Sequence, residues 1–522
     1  MESYYSTMTG KVRDRYPENP ASDVAKKTGE RIYASEAKVI YPEVAGVLAR
    51  DYQALPNEVW NGISSAAGET IKQLAQTFNE SFKVGSERCL LEHLQETIPQ
   101  AVAHLGREIM GALLSKVTGF FGTYVQCHHK RCKGILEFQG YTQKTLKTTL
   151  GPVPFRRAYY IGRCGHSAFP VDTLLGIDDE HAVLPLLRNN ATYLAAQMPF
   201  QAAVETLQRL TPVGTFSLRL LEQVTKTIAC EFATLQQDEL KDVKPGWMEG
   251  AELEDKTVVV AVDGGFCKAR DHKERSREFK LAVMGELDPD ADVVNKTYVA
   301  TFDGADDLFE RTSFEYIRKG HDRAKRVHLI ADGACWIENR KDELIQPGQE
   351  LSMVLDWYHA TERLKEFADE ILRVGSPANQ IWYEKAKSAL WEGHLTEFFR
   401  MLDEHVPPAP PKVKIGPKEF DPAEALRATF KYFEKRRAIL NYRFCRDKGL
   451  PVGSGMVEGG IRFVAKDRLD RTGMRWSKGG GDNILQLRCI ASSRRWDSFC
   501  QMQSESREKR FFARKQAWLK AA

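Results

Sequence analysis

No stretch of the 522-residue sequence approaches the ~18 consecutive apolar residues that a helix needs to cross a bilayer, which argues against a helical membrane protein. The first twenty residues, MESYYSTMTGKVRDRYPENP, are polar throughout and lack the apolar core of a signal peptide. Cysteine is sparse. Ten are scattered along the chain, most of them singly in apolar segments such as those of Cys230, Cys335 and Cys489. That distribution argues against a disulfide framework and for reduced thiols. A dominant charge is also missing, since 75 Lys and Arg face 71 Asp and Glu for a net charge of +4. These absences predict a soluble, cytoplasmic protein of ordinary globular composition.

Length and charge distribution say more than the totals. A chain this long exceeds one compact core, so three or four domains are expected. The basic residues gather at the end: residues 461–522 hold fifteen Lys or Arg against six Asp or Glu. Such a segment is the electrostatic footprint of a nucleic-acid binder, or else a solvated basic tail.

Residue texture divides the chain. The first ~40 residues have no clear period, and disorder is expected for part of them. From Leu55 to Val117 apolar residues recur every three or four positions (Trp60, Ile63, Ala67, Ile71, Leu74, Phe78, Phe82; then Val102, Leu105, Ile109, Leu113, Val117). Residues 1–120 therefore read as a helical N-terminal region whose stripes pack a core. Residues 121–180 are rich in Thr, Tyr, Val and Gly and read as a small β-rich module. Helices return over 181–250. There Phe200–Leu210, the turn TPVGT, and Ser217–Cys230 have the layout of a helix-turn-helix, or of any αα-hairpin.

An α/β stretch follows over 251–360. KTVVVAVDGG, REFKLAVMGEL, KTYVATF, RVHLIADGA and LSMVLDWYHA each read as a strand, with Asp-Gly closing the first and fourth. Residues 361–445 then read as helices broken by the proline-rich loop VPPAPPKVKIGPKEFDP. At 446–500 a new helix opens with Ser454 as the expected N-cap, and 501–522 form a basic tail.

Three acids stand out by position. Asp263 and Asp332 are each expected at the C-terminal end of a strand and are each followed by Gly, which lets the backbone turn away. Glu458 is expected in the first turn of the helix opened by Gly453-Ser454-Gly455. Carboxylates held a few ångströms apart repel unless cations lie between them, so the trio reads as a site for divalent metal. Two ions there are what in-line phosphoryl transfer requires.

At these motifs the sequence resembles bacterial insertion-sequence transposases of the Mutator-like DDE class. VDGG resembles their first-aspartate motif, ADGACWIEN the second, LDWYHA the Asp-x-x-His signature, and VGSGMVEGG the glutamate segment. GMRWSKGGGDNILQLR, TLGPVPFRRAYY and FPVDTLLGI extend the likeness over roughly residues 120–500. The resemblance implies a fold of α/β class with large all-α parts: an RNase H-like mixed sheet interrupted by a helical insertion. It implies catalytic Asp263, Asp332 and Glu458 holding two Mg²⁺ or Mn²⁺ ions. Asp356 and His359 become accessory residues, Asp356 as a helix cap or site member and His359 as a positioner of substrate or of the helix start.

Two departures are visible. Gly265 stands where the first motif usually has a hydroxyl residue. The upstream module usually carries two Cys-x-x-Cys pairs. Here Cys127 and Cys132 flank His128 and His129, and Cys164 is followed by His166. Cys127, Cys132 and Cys164 with His129, His166 or His128 make a zinc site, or else the ribbon folds without metal.

Arg462, one turn beyond Glu458, reads as a phosphate contact or as a partner of Glu458 or Asp332. Arg468, Arg471, Arg475 and Lys478 read as DNA-backbone contacts, and Trp476 as a base-stacking or core residue. The expected function is a DNA transposase that binds the terminal inverted repeats of its element, cleaves there, and joins the 3′-hydroxyl ends to target DNA. Such a protein would act in the bacterial cytoplasm at the nucleoid as a homodimer or larger homo-oligomer. The rivals are a catalytically silent, domesticated DNA-binding derivative, and an RNase H-like nuclease without strand transfer.

Overall fold

The computed structural model describes residues 57–81, 89–127, 129, 132–177, 182–242, 253, 255–271, 274–408 and 422–521. The expectations for the first ~40 residues, for Phe82, for His128 and for most of the proline-rich loop lie outside the described residues. The chain divides into two compact units. One comprises residues 1–187, 208–216 and 505–522, the other residues 188–207 and 217–504.

In the first unit, α1 (Asn57–Ser81) and α2 (Leu90–Leu114) are the two expected helices. Their apolar stripes pack a core only in part. Trp60, Ile71, Phe78 and Val102 are exposed, whereas Val59, Thr70, Ala101 and Ala103 are buried and Met110, Leu114 and Val117 pack against a buried cluster that holds Leu146, Val153 and Phe155. The β-rich module is an antiparallel sheet of β1 (Tyr124–Gln126), β2 (Ile135–Thr148), β3 (Gly151–Gly162) and β4 (Ser167–Ala168), in that order. Alternation along β3 buries Val153 and Phe155 in one apolar cluster and then, one residue out of phase, Ala158 and Tyr160 in another. The short α3 (Pro170–Leu175) is tied to this sheet by Asp172, which takes the Arg157 guanidinium and the Lys144 ammonium.

Three helices follow along the chain: α4 (Pro185–Gln197), α5 (Phe200–Leu210) and α6 (Leu218–Asp242). The expected helix pair is present, and its second member runs twelve residues past Cys230.

The second unit is built on a five-stranded mixed sheet. Its strands are β5 (Thr257–Lys268), β6 (Ser276–Leu287), β7 (Val293–Thr301), β8 (Arg326–Ala331) and β9 (Glu350–Leu355), arranged 7-6-5-8-9. β7, β6 and β5 pair antiparallel, whereas β5, β8 and β9 pair parallel. Both faces are covered. Val258, Val260 and Val262 pack with Leu308, Phe309 and Tyr316 of α7 (Ala305–Arg318). Val259 and Ala261 share a cluster with Ile330, Val354 and the helices that follow β9. Two buried faces explain why β5 is a near-continuous β-branched run and does not alternate. Each such Val stabilises the fold by roughly 1.5 kcal/mol or more.

After α8 (Cys335–Glu338) and β9 the chain is helical, and no strand recurs among the described residues. The expected insertion holds α9 (Trp357–Ile371), α10 (Pro377–Trp391), α11 (Leu395–Asp403), α12 (Pro422–Lys435) and α13 (Tyr442–Asp447). It is no separate body: Phe367, Leu390, Phe398, Phe433 and Tyr442 belong to the same apolar cluster as Val259 and Ala261.

The glutamate segment is α14 (Gly455–Gly460), which continues as a π-helical stretch Ile461–Lys466 and then α15 (Asp467–Leu469). It lies close on β6. A Cβ at Gly460 would sit 2.8 Å from a Val283 methyl, so glycine permits the approach. The chain ends in α16 (Lys478–Ser492) and α17 (Trp496–Ala521). The stretch expected as a basic tail is therefore helical, as its lack of glycine and proline allows.

Candidate functional site

The parallel register fixes where the acids lie. β5 and β8 pair up to Val262 and Ala331, so Asp263 and Asp332 are each the next residue on neighbouring strands. Asp263 lies on the face of Val259 and Ala261, the face against which the glutamate helix packs through Val457 and Ile461.

One expectation needs correcting here. Asp332 does end its strand, and Gly333 turns away with φ 83°. Asp263 does not, because β6 keeps pairing antiparallel with β5 as far as Lys268 and satisfies its backbone. Gly264 and Gly265 therefore continue the strand and make no turn. What requires glycine at 265 is the ring of Phe279, whose Cζ would lie 2.4 Å from an added Cβ.

Each acid is held by a local donor. Asp263 Oδ1 accepts from the Gly264 N–H at 2.6 Å, and Asp332 Oδ1 from the Ala334 N–H at 2.7 Å. Glu458 Oε1 accepts from the Ser454 hydroxyl at 2.7 Å. Ser454 stands at the helix start as expected, but its side chain caps no backbone N–H because it is engaged by Glu458.

Asp356 links the parts. It is fully buried and N-caps α9, accepting from the His359 N–H at 2.9 Å. It also accepts from His359 Nδ1 at 2.7 Å and from the Ser454 N–H at 2.5 Å. One carboxylate thus fixes the histidine ring and the start of the glutamate helix together.

Sequence reading missed the supports behind Asp332. The Tyr432 hydroxyl donates to the Asp332 carbonyl at 2.8 Å, and the Arg436 guanidinium donates to Gly333 O. Tyr432 lies in α12 and Arg436 directly follows it, about a hundred residues away, with no local signal to flag them.

The electrostatics follow from this crowding. Burial pushes the Asp263 carboxyl up to about 6, and the charges of Asp332 and Glu458 add to the push. The Gly264 N–H and His359 act against it. His359 is raised to about 9, first by its bond to Asp356 and further by the charges of Asp356, Asp263 and Asp332, with burial opposing. Burial acts to raise Asp356 as well, but the His359 and Ser454 donors outweigh it and hold the carboxyl below its ordinary value. The imidazolium is the cation of an otherwise acidic group.

The three acids do not crowd onto a single point. Among the described residues, the one group of His, Cys, Asp and Glu whose ligand atoms lie within 4.8 Å of one another is elsewhere, at Cys127, Cys132, Cys164 and His166. Acids that must serve two ions, themselves ~3.5–4 Å apart, need a wider spread than a one-ion cage.

The cysteine cluster is compact. Cys127 follows β1, Cys132 precedes β2, and Cys164 and His166 lie in the turn between β3 and β4. Cys127 Sγ is 3.4 Å from His166 Nδ1 and 3.5 Å from His129 Nδ1. The His129 ring stacks on that of His166 at 4.0 Å, as a neighbour outside the four-residue group. Three sulfurs and one nitrogen at this spacing suit tetrahedral zinc, whose ligands lie ~4 Å apart around ~2.3 Å bonds.

The basic residues separate into two groups. Arg471, Arg475 and Lys478 are exposed, with Lys478 paired to Asp303. Arg462 is exposed and pairs with neither Glu458 nor Asp332. Arg468 contradicts the DNA-contact expectation. It is fully buried, donates to Ala195 O at 2.9 Å, and lies over the Phe200 and Trp476 rings. Trp476 is half-buried, with its indole N–H on Leu469 O at 2.8 Å and its ring against the apolar cluster. It holds the fold; a pattern of Arg and Trp in a basic segment does not distinguish the two roles.

The sequence profile of an uncharacterised protein family, UPF0236, matches residues 85–493. The chain is also similar to the "UPF0236 protein in vanSb 3'region" of Streptococcus gallolyticus. The two are 22% identical over 419 residues, which cover 74% of this chain and 82% of that protein. This chain belongs to the UPF0236 family.

Proposed function

We propose that this member of the UPF0236 family is a DNA transposase whose second unit is an RNase H-like catalytic core of the Mutator-like DDE class. One observation carries the reading: Asp263 and Asp332 stand side by side one residue past the parallel pairing, on the sheet face where Glu458 arrives. The strand order 7-6-5-8-9, three antiparallel and then parallel, and the helices after β9 support it. So does the electrostatic coupling among the three acids and His359.

The three carboxylates would hold two Mg²⁺ or Mn²⁺ ions. Bound there, the metals would activate an attacking water or 3′-hydroxyl and stabilise the leaving oxygen. The chain's own groups do the rest. Asp356 fixes the start of the glutamate helix through the Ser454 N–H. Tyr432 and Arg436 hold the turn that aims Asp332. Glu458 would give up the Ser454 hydroxyl when it turns to a cation. His359, kept cationic by Asp356, supplies positive charge beside the acids and is suited to a phosphate oxygen. The substrates would be double-stranded DNA at the element's terminal inverted repeats and at the target, handled by a homodimer or larger assembly at the nucleoid.

Strand joining separates this reading from a nuclease. Purified protein is incubated with labelled duplex carrying the gene's flanking repeats, Mg²⁺ and a supercoiled plasmid. Label covalently joined to plasmid through a 3′ end is expected. Cleaved ends that never join would identify a nuclease, and no reaction at all would identify a silent derivative.

For the first unit we propose one structural zinc held by Cys127, Cys132, Cys164 and His166. Metal analysis should give close to one zinc per chain, and a content below about 0.3 would exclude the proposal.

A further inference from the structure

The glutamate helix carries an irregularity directly after its acid. Residues Ile461–Lys466 form a π-helical turn within an otherwise α-helical run from Gly455 to Leu469. Such insertions are uncommon and cluster at functional sites, because they re-aim side chains. The wider turn starts three residues on from Glu458 and carries the residues five and four on from it. Those residues are Phe463 and Arg462, with Lys466 following, and all three are exposed. Phe463 is 50% exposed although it belongs to a helix that buries Ile461, Val464 and Ala465.

The turn is held in place from beneath. Arg488 of α16, itself buried, donates from Nε to Val464 O at 3.0 Å and from Nη2 to Phe463 O. Its remaining amino group donates to Gln197 Oε1 at 2.5 Å. The guanidinium also lies 5.2 Å from the centre of the Phe463 ring. A buried arginine thus donates to two carbonyls of the π turn and lies against the exposed ring at the same time. Neither Arg462 nor Lys466 has an ion-pair partner among the described residues. The exposed Asp467 stands at the far end of the stripe, and Glu458 at the near end.

An exposed aromatic between two cations without an ion-pair partner among the described residues, one turn from the proposed catalytic acid, has the chemistry of a single-strand contact. Aromatic faces stack on any base, while Arg and Lys take the flanking phosphates. We propose that Phe463, with Arg462 and Lys466, binds the unpaired DNA strand next to the bond being cut, its ring stacking on a base out of the duplex. The idea rests on the catalytic reading for its place in a reaction, but binding can be measured without metal or cleavage. Of the two roles open to Trp476, stacking or core packing, its indole is committed to the core, and stacking passes to Phe463.

The test uses full-length protein in EDTA with a fluorescein-labelled 15-nucleotide oligothymidylate carrying one central 2-aminopurine, and a duplex of equal length. Wild type should prefer the single strand and quench the 2-aminopurine. Phe463→Ala should weaken that binding by roughly 5- to 100-fold and abolish the quench, and Phe463→Trp should restore both. Arg462→Ala with Lys466→Ala should flatten the dependence of log affinity on log salt by about 1.4, for two phosphates on a single strand. Because Phe463 is half exposed, its truncation should leave the circular dichroism spectrum and the thermal midpoint unchanged.

Unaltered single-strand affinity and quenching in Phe463→Ala overturns the proposal, as does binding by wild type to duplex alone. Cleavage assays keep the two readings apart. If Asp263-dependent cleavage occurs while Phe463→Ala binds normally, only the stacking proposal falls. If no cleavage occurs but Phe463→Ala loses the single strand, only the catalytic reading falls.

Discussion

Among the described residues, two groups of side chains are proposed here to hold metal, and they are made in opposite ways. The thiol group comes from residues 127–166, on the loops of one small antiparallel sheet, with four soft ligands already within 4.8 Å of one another. The carboxylate group spans residues 263–458 and is assembled from two parallel strands and a helix that arrives after a long insertion. The first is a closed cage whose ligands need no rearrangement. The second is an open set in which burial, with the charges of Asp332 and Glu458 adding to it, raises Asp263, and whose glutamate rests on a serine hydroxyl. A closed soft cage suits a structural ion and an open hard set suits a catalytic one.

If that contrast is right, disturbing the two sites moves stability in opposite directions. The largest effect is expected at the thiols. Cys164→Ser, or chelation of wild type, should lower the thermal midpoint of the first unit by about 10 °C or more, since metal affinity there is folding free energy. Asp263→Ala should leave the metal-free midpoint unchanged or slightly raised, because it removes a repelled carboxylate. Equal losses at both sites in calorimetry would erase the distinction.

Next in size is Asp356→Ala. It leaves the Ser454 N–H unpaired and frees the His359 ring, so a destabilisation of about 1–3 kcal/mol is expected. Cleavage should fall ~10–100-fold, as for other groups that orient metal ligands. Denaturant melts and cleavage rates check this; a stable variant at full rate would remove Asp356 from the account.

Gly265→Thr, which introduces the hydroxyl residue usual in the resembled motif, should cost about 1–3 kcal/mol by driving a Cβ into the Phe279 ring. Adding Phe279→Ala should recover part of that loss in a double-mutant cycle. Strict additivity would mean that the ring is not what requires glycine.

The smallest effect is a pH dependence. His359 titrates near 9 in the folded chain, above its ordinary 6.5. The folded state therefore binds the proton more tightly. This contribution is fully present below about 6.5 and is lost as pH rises through about 9. Metal-free wild type should lose stability across that window relative to His359→Gln, and parallel curves would contradict the assignment.

Much of the second unit was legible in the sequence, because buried parallel strands read as β-branched runs and Gly333 marks a real turn. The strand nature of Gly264 and Gly265 was not, since Asp-Gly-Gly reads as a turn unless a neighbouring hairpin strand is known to continue. Nor was the buried role of Arg468, which follows from the distant carbonyl of Ala195, whereas core packing was one of the two roles open to Trp476. The apolar stripes of α1 and α2 were half legible: periodicity predicted both helices, and Val117 packs against a buried cluster while Trp60, Ile71 and Phe78 are exposed.

The central claim is that Asp263, Asp332 and Glu458 form one metal-dependent phosphoryl-transfer site. The most direct measurement is nicking of end-labelled duplex from the gene's flanks in Mn²⁺, comparing wild type with Asp263→Ala, Asp332→Asn and Glu458→Gln. The account predicts 3′-hydroxyl ends from wild type, none in EDTA, and a loss of about 10³-fold or more in each variant. Undiminished nicking by any one of the three variants would contradict it.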